Sequence, residues 1–272
     1  MKTNPTIRII VFVSLMLLQF IFTKTHAQEF TPVKTIETKN IWFFTTDRLG
    51  NLYVADDKVI SKYNQHGNFL CSYSDYDFLN FKIIDATDPF KLMLFSPEFQ
   101  SIRLLDSYFG SSGEIFLYNY PNMGLPFLAC ATDDGNFWIY DRQNNLLKKI
   151  DSRSNVMITS SNLYLLSERN YIPVSMNASA GWVVMNNAEE EVLIFDRFGN
   201  YFKGVKIDSA YFQQVNEREL FFIKNGELIA FDFTLMKQTT VKTPDLTDVA
   251  AIRIEQHRIY LFKNGRIEIV AY

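Results

Sequence analysis

Histidine and cysteine are the scarce residues of this 272-residue chain, at three and two copies. Two cysteines exclude a disulfide framework or a zinc-ribbon array, and three histidines leave no battery of proton-transfer groups. Eleven glycines and eight prolines exclude a collagen-like polymer. Basic residues are also few, 27 Lys and Arg against 30 Asp and Glu, with no Lys/Arg cluster beyond pairs such as Lys148 and Lys149. A surface that neutralises phosphates needs a basic face, so no nucleic-acid partner is expected. What the chain has in quantity is aromatic residues, 25 Phe and 14 Tyr, within a composition that is 47% hydrophobic. That is enough apolar surface for a large core, and the aromatic and β-branched excess points to strands.

The first 27 residues read as a secretory signal. Lys2 and Arg8 form a basic start, Ile9 to Phe22 is a run of fourteen mostly apolar residues, and Thr25 and Ala27 occupy the −3 and −1 places of a small-residue cleavage site. A spanning helix wants about 20 apolar residues, and this run breaks at Lys24, so cleavage between Ala27 and Gln28 is expected, with no transmembrane span afterwards. No Cys lies near the cut to receive a lipid. Removal of Lys2, Arg8 and Lys24 leaves 24 basic and 30 acidic residues, a formal charge of −6 over residues 28–272.

The remainder repeats. Short apolar-alternating runs begin at Asn51 (NLYVAD), Lys91 (KLMLFS), Asn136 (NFWIYD), Gly181 (GWVVMN), Glu219 (ELFFIK) and Arg258 (RIYLFK), at steps of 40, 45, 45, 38 and 39 residues. Each is followed, after a short polar loop, by a second run: Lys58 to Tyr63, Gln100 to Leu105, Asn145 to Ile150, Glu191 to Phe195, Glu227 to Phe231 and Arg266 to Ala271. A third precedes each pair, at Ile41 to Thr45, Phe81 to Ala86, Phe127 to Ala131, Tyr171 to Met176, Tyr211 to Val215 and Val249 to Ile254. An outer strand is readable at Phe69 to Tyr73, Glu114 to Tyr118 and Tyr201 to Ile207. Four antiparallel strands per repeat of about 40 residues is the arithmetic of a propeller blade. The expected fold is therefore all-β: a six-bladed β-propeller of four-stranded antiparallel blades, spanning 28–272. The sixth unit stops at its third strand, and Pro32 to Thr38 (PVKTIET) is placed to complete it, closing the ring.

The first unit carries a family pattern. Asp47-Arg48-Leu49-Gly50-Asn51-Leu52-Tyr53-Val54-Ala55-Asp56, followed by Val59 to Tyr63 and Gly67-Asn68, resembles the NHL-type β-propeller repeat. Asp133 to Asp141, Phe195 to Asn200 and the Lys-Asn-Gly loops at Lys224 and Lys263 echo it. Units two, five and six lack the Gly-Asn pair. The resemblance implies a six-bladed ring of the kind common in exported bacterial proteins. It implies no single activity, since members of the wider group bind proteins, RNA or carbohydrates and a few are enzymes.

Chemistry is sparse. After cleavage only His66 and His257 remain, in separate units and without metal-ligand spacing. Asp133-Asp134-Gly135 lacks the alternating oxygens of a calcium loop and reads as a turn. Cys71 and Cys130 fall in different strands of different units and read as buried small hydrophobes. No catalytic residue, metal or cofactor is assigned. Binding surfaces are the better candidates. The loops between second and third strands carry Asp56, Asp141, Arg142, Glu189 and Glu190 on one side of the ring and Lys224, Lys263 and Arg266 on the other, a polarity suited to steering a charged partner. Solvated turn residues are the plainer account of the same charges. The connection from unit two to unit three, Tyr118 to Phe127, gathers Tyr118, Tyr120, Met123, Leu125 and Phe127; aromatics and Met are enriched at interface centres. The expected function is a non-enzymatic protein-interaction scaffold, an accessory subunit of an envelope complex. Export, together with a chain that ends on a blade strand, puts it in the periplasm or at the inner side of the outer membrane. The alternative is a carbohydrate- or small-ligand-binding propeller, a hydrolase or lyase using carboxylates such as Asp56, Asp141 or Glu189.

Overall fold

A computed structural model describes residues 30–38, 40–76, 80–120, 122–167, 171–187, 191–207 and 211–272. The signal segment, Pro121, Glu189 and Glu190 lie outside the described residues. Among the described residues, twenty-four strands form six four-stranded antiparallel sheets. After β1 (Thr31–Glu37), blade 1 comprises β2 (Phe43–Thr46), β3 (Leu52–Ala55), β4 (Ile60–Tyr63) and β5 (Phe69–Tyr73). Blade 2 has β6 (Ile83–Asp88), β7 (Lys91–Ser96), β8 (Ser101–Asp106) and β9 (Ser111–Phe116). Blade 3 has β10 (Pro126–Ala131), β11 (Phe137–Asp141), β12 (Leu146–Ile150) and β13 (Val156–Thr159). Blade 4 follows with β14 (Pro173–Ser179), β15 (Trp182–Asn187), β16 (Glu191–Phe195) and β17 (Tyr201–Lys206). Blade 5 is β18 (Tyr211–Asn216), β19 (Glu219–Lys224), β20 (Glu227–Asp232) and β21 (Lys237–Val241). Blade 6 runs β22 (Val249–Glu255), β23 (Arg258–Lys263) and β24 (Arg266–Ala271), with β1 as its fourth strand.

The second strand of each blade is sandwiched between neighbouring blades, which is why its sequence is apolar nearly throughout: all of β3 and all of β11 are buried. The outermost strands meet solvent and need no such pattern. β13 (VMIT) and β21 (KQTTV) are mostly exposed and carry no apolar alternation, and β21 is polar at four of its five positions. In blade 2 the outer strand lies at Ser111–Phe116 rather than at 114–118, because Leu117 turns inward to full burial in a 3-10 turn, donating its amide to the Gln100 carbonyl at 2.8 Å.

The six innermost strands contact one another in a closed cycle, β2, β6, β10, β14, β18, β22 and back to β2. A side-chain latch crosses every blade junction. Lys62 Nζ donates to the Ser107 carbonyl at 3.0 Å, the Ala131 amide to Asp85 at 2.9 Å and the Ala180 amide to Asp133 at 2.8 Å. The Glu217 amide donates to Ser179 Oγ at 2.9 Å, the Ile254 amide to Gln214 Oε1 at 3.0 Å, and Tyr260 OH to the Gly50 carbonyl at 2.7 Å. The chain ends close the ring as expected: β1 pairs antiparallel with β24, Ile36 lying opposite Ile267, and Ile36 is buried in the blade 6 to blade 1 core with Phe44, Leu52 and Tyr260.

Candidate functional site

Hairpin connectivity divides the loops between two faces. On one, the turn face, lie the loops joining first to second and third to fourth strands. On the other, the connection face, lie the loops between second and third strands and the blade-to-blade connections. Every described side chain selected from the sequence maps to the connection face or to the ends of strands that reach it, so the structure brings them to one side of the ring.

They are not equivalent there. Tyr118 is 61% exposed, Leu125 is exposed and Tyr120 borders exposure. Phe127 is half-buried beneath Arg142, whose guanidinium lies 4.6 Å from the ring centroid, a cation–π contact. Met123 and Asp141 are interior groups. Asp141 accepts the amides of Leu125, Gln143 and Asn144 at 2.9, 3.1 and 3.2 Å, the Asn144 side chain at 2.7 Å, and the ammonium of Lys148. Burial pushes the Asp141 carboxyl up, and the hydrogen bonds from Lys148 and Asn144 overcome it and hold the carboxyl below its usual range. Lys148 also donates to the carbonyls of Asn122 and Met123, at 2.6 and 3.1 Å. This buried pair therefore pins the blade 2 to blade 3 connection in one conformation. Gly124 belongs to the same clasp, because a Cβ there would fall 2.2 Å from the Asp141 carboxylate.

The charge polarity read from the loops is locally compensated. Lys148 neutralises Asp141, while Lys263 and Arg266 both pair with Glu268, at 2.9 and 2.8 Å. Asp56 spends its carboxylate on its own turn, accepting the amides of Lys58 and Val59. Lys224 is half-buried at the end of β19.

The sequence reading missed a set of apolar neighbours. Phe99, Tyr164, Leu165, Ile172 and Val174 are exposed on the same face, Leu165 at 75%. Tyr164 and Leu165 sit on a short helix, Leu163–Ser167, in the blade 3 to blade 4 connection. For Tyr164 and Leu165 the detectable signal was a pair of large apolar residues outside any assigned strand run, whereas Ile172 and Val174 lie inside the run Tyr171 to Met176. The loops that carry them are tied together: the Leu117 amide to Gln100 O, the Arg142 amide to Leu125 O at 2.9 Å, the Leu163 amide to Asn145 O at 2.9 Å, and Asn162 Nδ2 to Asn144 O at 2.9 Å. Over blades 2 to 4 the connection face is one bonded surface studded with aromatic and aliphatic side chains.

One cavity of about 410 Å³ opens on the connection face itself, between Gln100, Tyr118, Tyr120, Asn122 and Asn144, and two more lie elsewhere. A channel of about 600 Å³ runs between the inner strands, lined by residues of all six blades, among them Asp85, Asn177, Gln214, Arg253 and Glu255. A second cavity of about 530 Å³ opens on the turn face between blades 3 and 4, walled by Trp138, Lys149, Trp182 and Arg197. Among the described residues no group of three or more His, Cys, Asp or Glu could hold a metal ion. Cys71 and Cys130 are both free thiols, and burial raises both above the usual thiol range, Cys130 well above it with Asp85 adding to the effect. No helix among the described residues is long and apolar enough to cross a membrane.

No protein-family model and no curated protein matches the chain. Solved structures do. Virginiamycin B lyase from Staphylococcus aureus aligns over 90% of this chain and 100% of its own, at 11% identity and a TM-score of 0.60. The Pan2 WD40 domain of Neurospora crassa aligns over 91% and 96%, at 9% identity and 0.63. BamB from Moraxella catarrhalis aligns over 90% and 98%, at 10% identity and 0.50. At these identities the likeness is one of fold. A lyase and a WD40 domain stand side by side among them, so function rests on this chain's own surfaces.

Proposed function

We propose that the chain is an exported, non-enzymatic propeller that docks a protein partner through its connection face over blades 2 to 4. One observation carries the reading: Phe99, Tyr118, Tyr120, Leu125, Tyr164 and Leu165 are exposed on loops locked to one another by hydrogen bonds, with Ile172 and Val174 exposed where β14 begins on the same face. Contiguous exposed apolar surface marks interaction sites. A surface already held rigid, here by Asp141 and Lys148, loses little conformational freedom on binding. The aromatic and arginine content, with Arg142 stacked on Phe127, matches the composition of interface centres. The signal-like residues 1–27 support export, and with it a place in the periplasm or at the inner side of the outer membrane as part of an envelope assembly. The Asp/Asn-x-x-Gly-Asn loops at Asp47, Asn64 and Asp196 support an NHL-like repeat. Of the carboxylates weighed for glycoside chemistry, which needs a facing pair, Asp56 caps its own turn and Asp141 is buried against Lys148.

The test is site-specific photo-crosslinking in the native envelope. A photoreactive phenylalanine at Tyr118 or Leu165 is expected to give one stoichiometric adduct with a protein, and the same label at Tyr108, 84% exposed on the turn face, none. Equal labelling from both faces, or no adduct from the connection face, rejects the docking surface.

A further inference from the structure

The channel holds a guanidinium with no ion-pair partner among the described residues. Arg253 on β22 lines the cavity, and its one hydrogen bond among the described residues runs from Nη1 to the Ile252 carbonyl at 3.4 Å, outside the normal distance range. It forms no ion pair with any described carboxylate. Four acids line the same channel; Glu217 is exposed at the turn between β18 and β19, and the other three are occupied elsewhere. Asp85 accepts the amides of Thr87 and Ala131 at 2.8 and 2.9 Å, and Asp133 accepts that of Ala180. Glu255, two residues along the strand and so on the same side as Arg253, accepts from Gln214 Nε2 at 2.8 Å. Gln214 in turn donates to the Ile254 carbonyl and accepts the Ile254 amide, at 3.1 and 3.0 Å. That clamp occupies Glu255 Oε1, and Glu255 acts on the guanidinium as a nearby charge without forming an ion pair. On its other side Arg253 lies over the Phe44 ring, 5.9 Å from the centroid, which supports the plane of the fork and leaves its edge open to the cavity.

A second polar group stands at the same depth. Arg253 pairs with Tyr260, Gln214 with Phe221 and Asn177 with Val184, and each is the third pair inward from a two-residue hairpin turn. Blades 4, 5 and 6 thus present Asn177, Gln214 and Arg253 as one belt around the channel wall. Gln214 is consumed by its clamp, whereas the Asn177 amide has no hydrogen bond to a described residue. A cation withdrawn from bulk water without an ion-pair partner is unfavourable, and burial lowers the Arg253 guanidinium to about 10 against the opposing effect of the Glu255 charge. The guanidinium fork matches a carboxylate in two parallel hydrogen bonds, an amide both donates to and accepts from a hydroxyl, and about 600 Å³ is the size of a small-molecule site.

We propose that the channel binds a small polar carboxylate, its carboxylate on the Arg253 fork and its hydroxyl or carbonyl groups on Asn177. This site is separate from the docking face and stands whether or not that face has a partner. The test titrates the purified chain with citrate and gluconate, with inorganic phosphate and with chloride at matched ionic strength, and reads the melting temperature. The expected result is a saturable rise with at least one carboxylate beyond that of chloride and phosphate, abolished in Arg253→Gln and reduced in Asn177→Ala. No carboxylate exceeding chloride, phosphate equalling the carboxylates, or an unchanged rise in Arg253→Gln overturns the proposal. Should Arg253→Gln fail to fold, the wild-type chain suffices: phenylglyoxal modification of the Arg253 peptide, followed by mass spectrometry, is expected to slow about ten-fold at ten times the Kd of the carboxylate. Equal modification with and without it overturns the site.

Discussion

A five-residue hairpin loop recurs through the ring and shows how little chemistry each turn requires. In Asp47 to Asn51, Asp151 to Asn155 and Asp196 to Asn200, one oxygen of the aspartate accepts the amides of the third and fifth residues, and the other accepts the asparagine side chain. The fourth residue sits at positive φ, +78° at Gly50 and +77° at Gly199, where glycine is unstrained. Ser154 holds that place in its loop at φ +64°, and its buried hydroxyl has no hydrogen-bond partner. A left-handed non-glycine residue costs about 1 to 2 kcal/mol and an unsatisfied buried hydroxyl about 1 to 3, offset in part by the greater chain entropy of glycine in the unfolded state. Ser154→Gly is therefore expected to stabilise the fold by about 1 kcal/mol net, read as a higher urea midpoint at unchanged m-value. An unchanged or lower midpoint refutes the assignment of strain to that loop.

At the scale of elements, legibility followed burial. Second and third strands were readable because neighbouring blades cover both of their faces, as in β11 (FWIYD) and β16 (EVLIF), so apolar side chains are required at nearly every position. β13 and β21 gave no signal because only one side of an outermost strand meets the blade. β1 was readable from what blade 6 lacked, and its contribution is now concrete. Ile36 is buried and Val33 half-buried in a core that joins the last blade to the first, and the strand's amides and carbonyls complete the sheet edge. Burying one large aliphatic side chain contributes about 1.5 to 3 kcal/mol, and the deletion also opens a strand edge. Removal of residues 31–37 is expected to abolish the single cooperative thermal transition and expose hydrophobic surface to dye binding. A deletion variant that melts cooperatively at the parent's temperature rules out closure by the ends as a stabilising device.

For the whole molecule, the channel was the part sequence could not reach. Its wall is assembled from six inner strands spaced about forty residues apart, and the level at which Asn177, Gln214 and Arg253 meet depends on hairpin register, which shifts by a bulge between Pro173 and Ser175, between Phe212 and Gln214 and between Val249 and Ala251. The proposed docking loop was legible in part, since Tyr118 to Phe127 was apolar without being a strand run, but the roles around it were not: Asp141 reads as a loop charge and folds as the anchor of a buried pair. The channel also leaves a signature on stability. Glu255 is pushed up from 4.5 to about 7, chiefly by burial, with Asp47 adding to the rise while Gln214 and Arg253 oppose it. Between those two values the native state holds a proton that the unfolded chain has released, so stability falls as pH rises through that window and the deficit is complete above about 7. Glu255→Gln keeps an acceptor for Gln214 and removes the titration. Relative to the parent, the variant is expected to be of similar stability near pH 4 and more stable near pH 8, by on the order of 2 kcal/mol. Carboxylates held low, Asp134 at about 2 among them, lose their contribution only as pH falls below the ordinary carboxylate range and cancel in the comparison. Urea midpoints for both proteins across that range decide it, and a constant difference at every pH shows that Glu255 does not titrate between its unfolded value and neutrality.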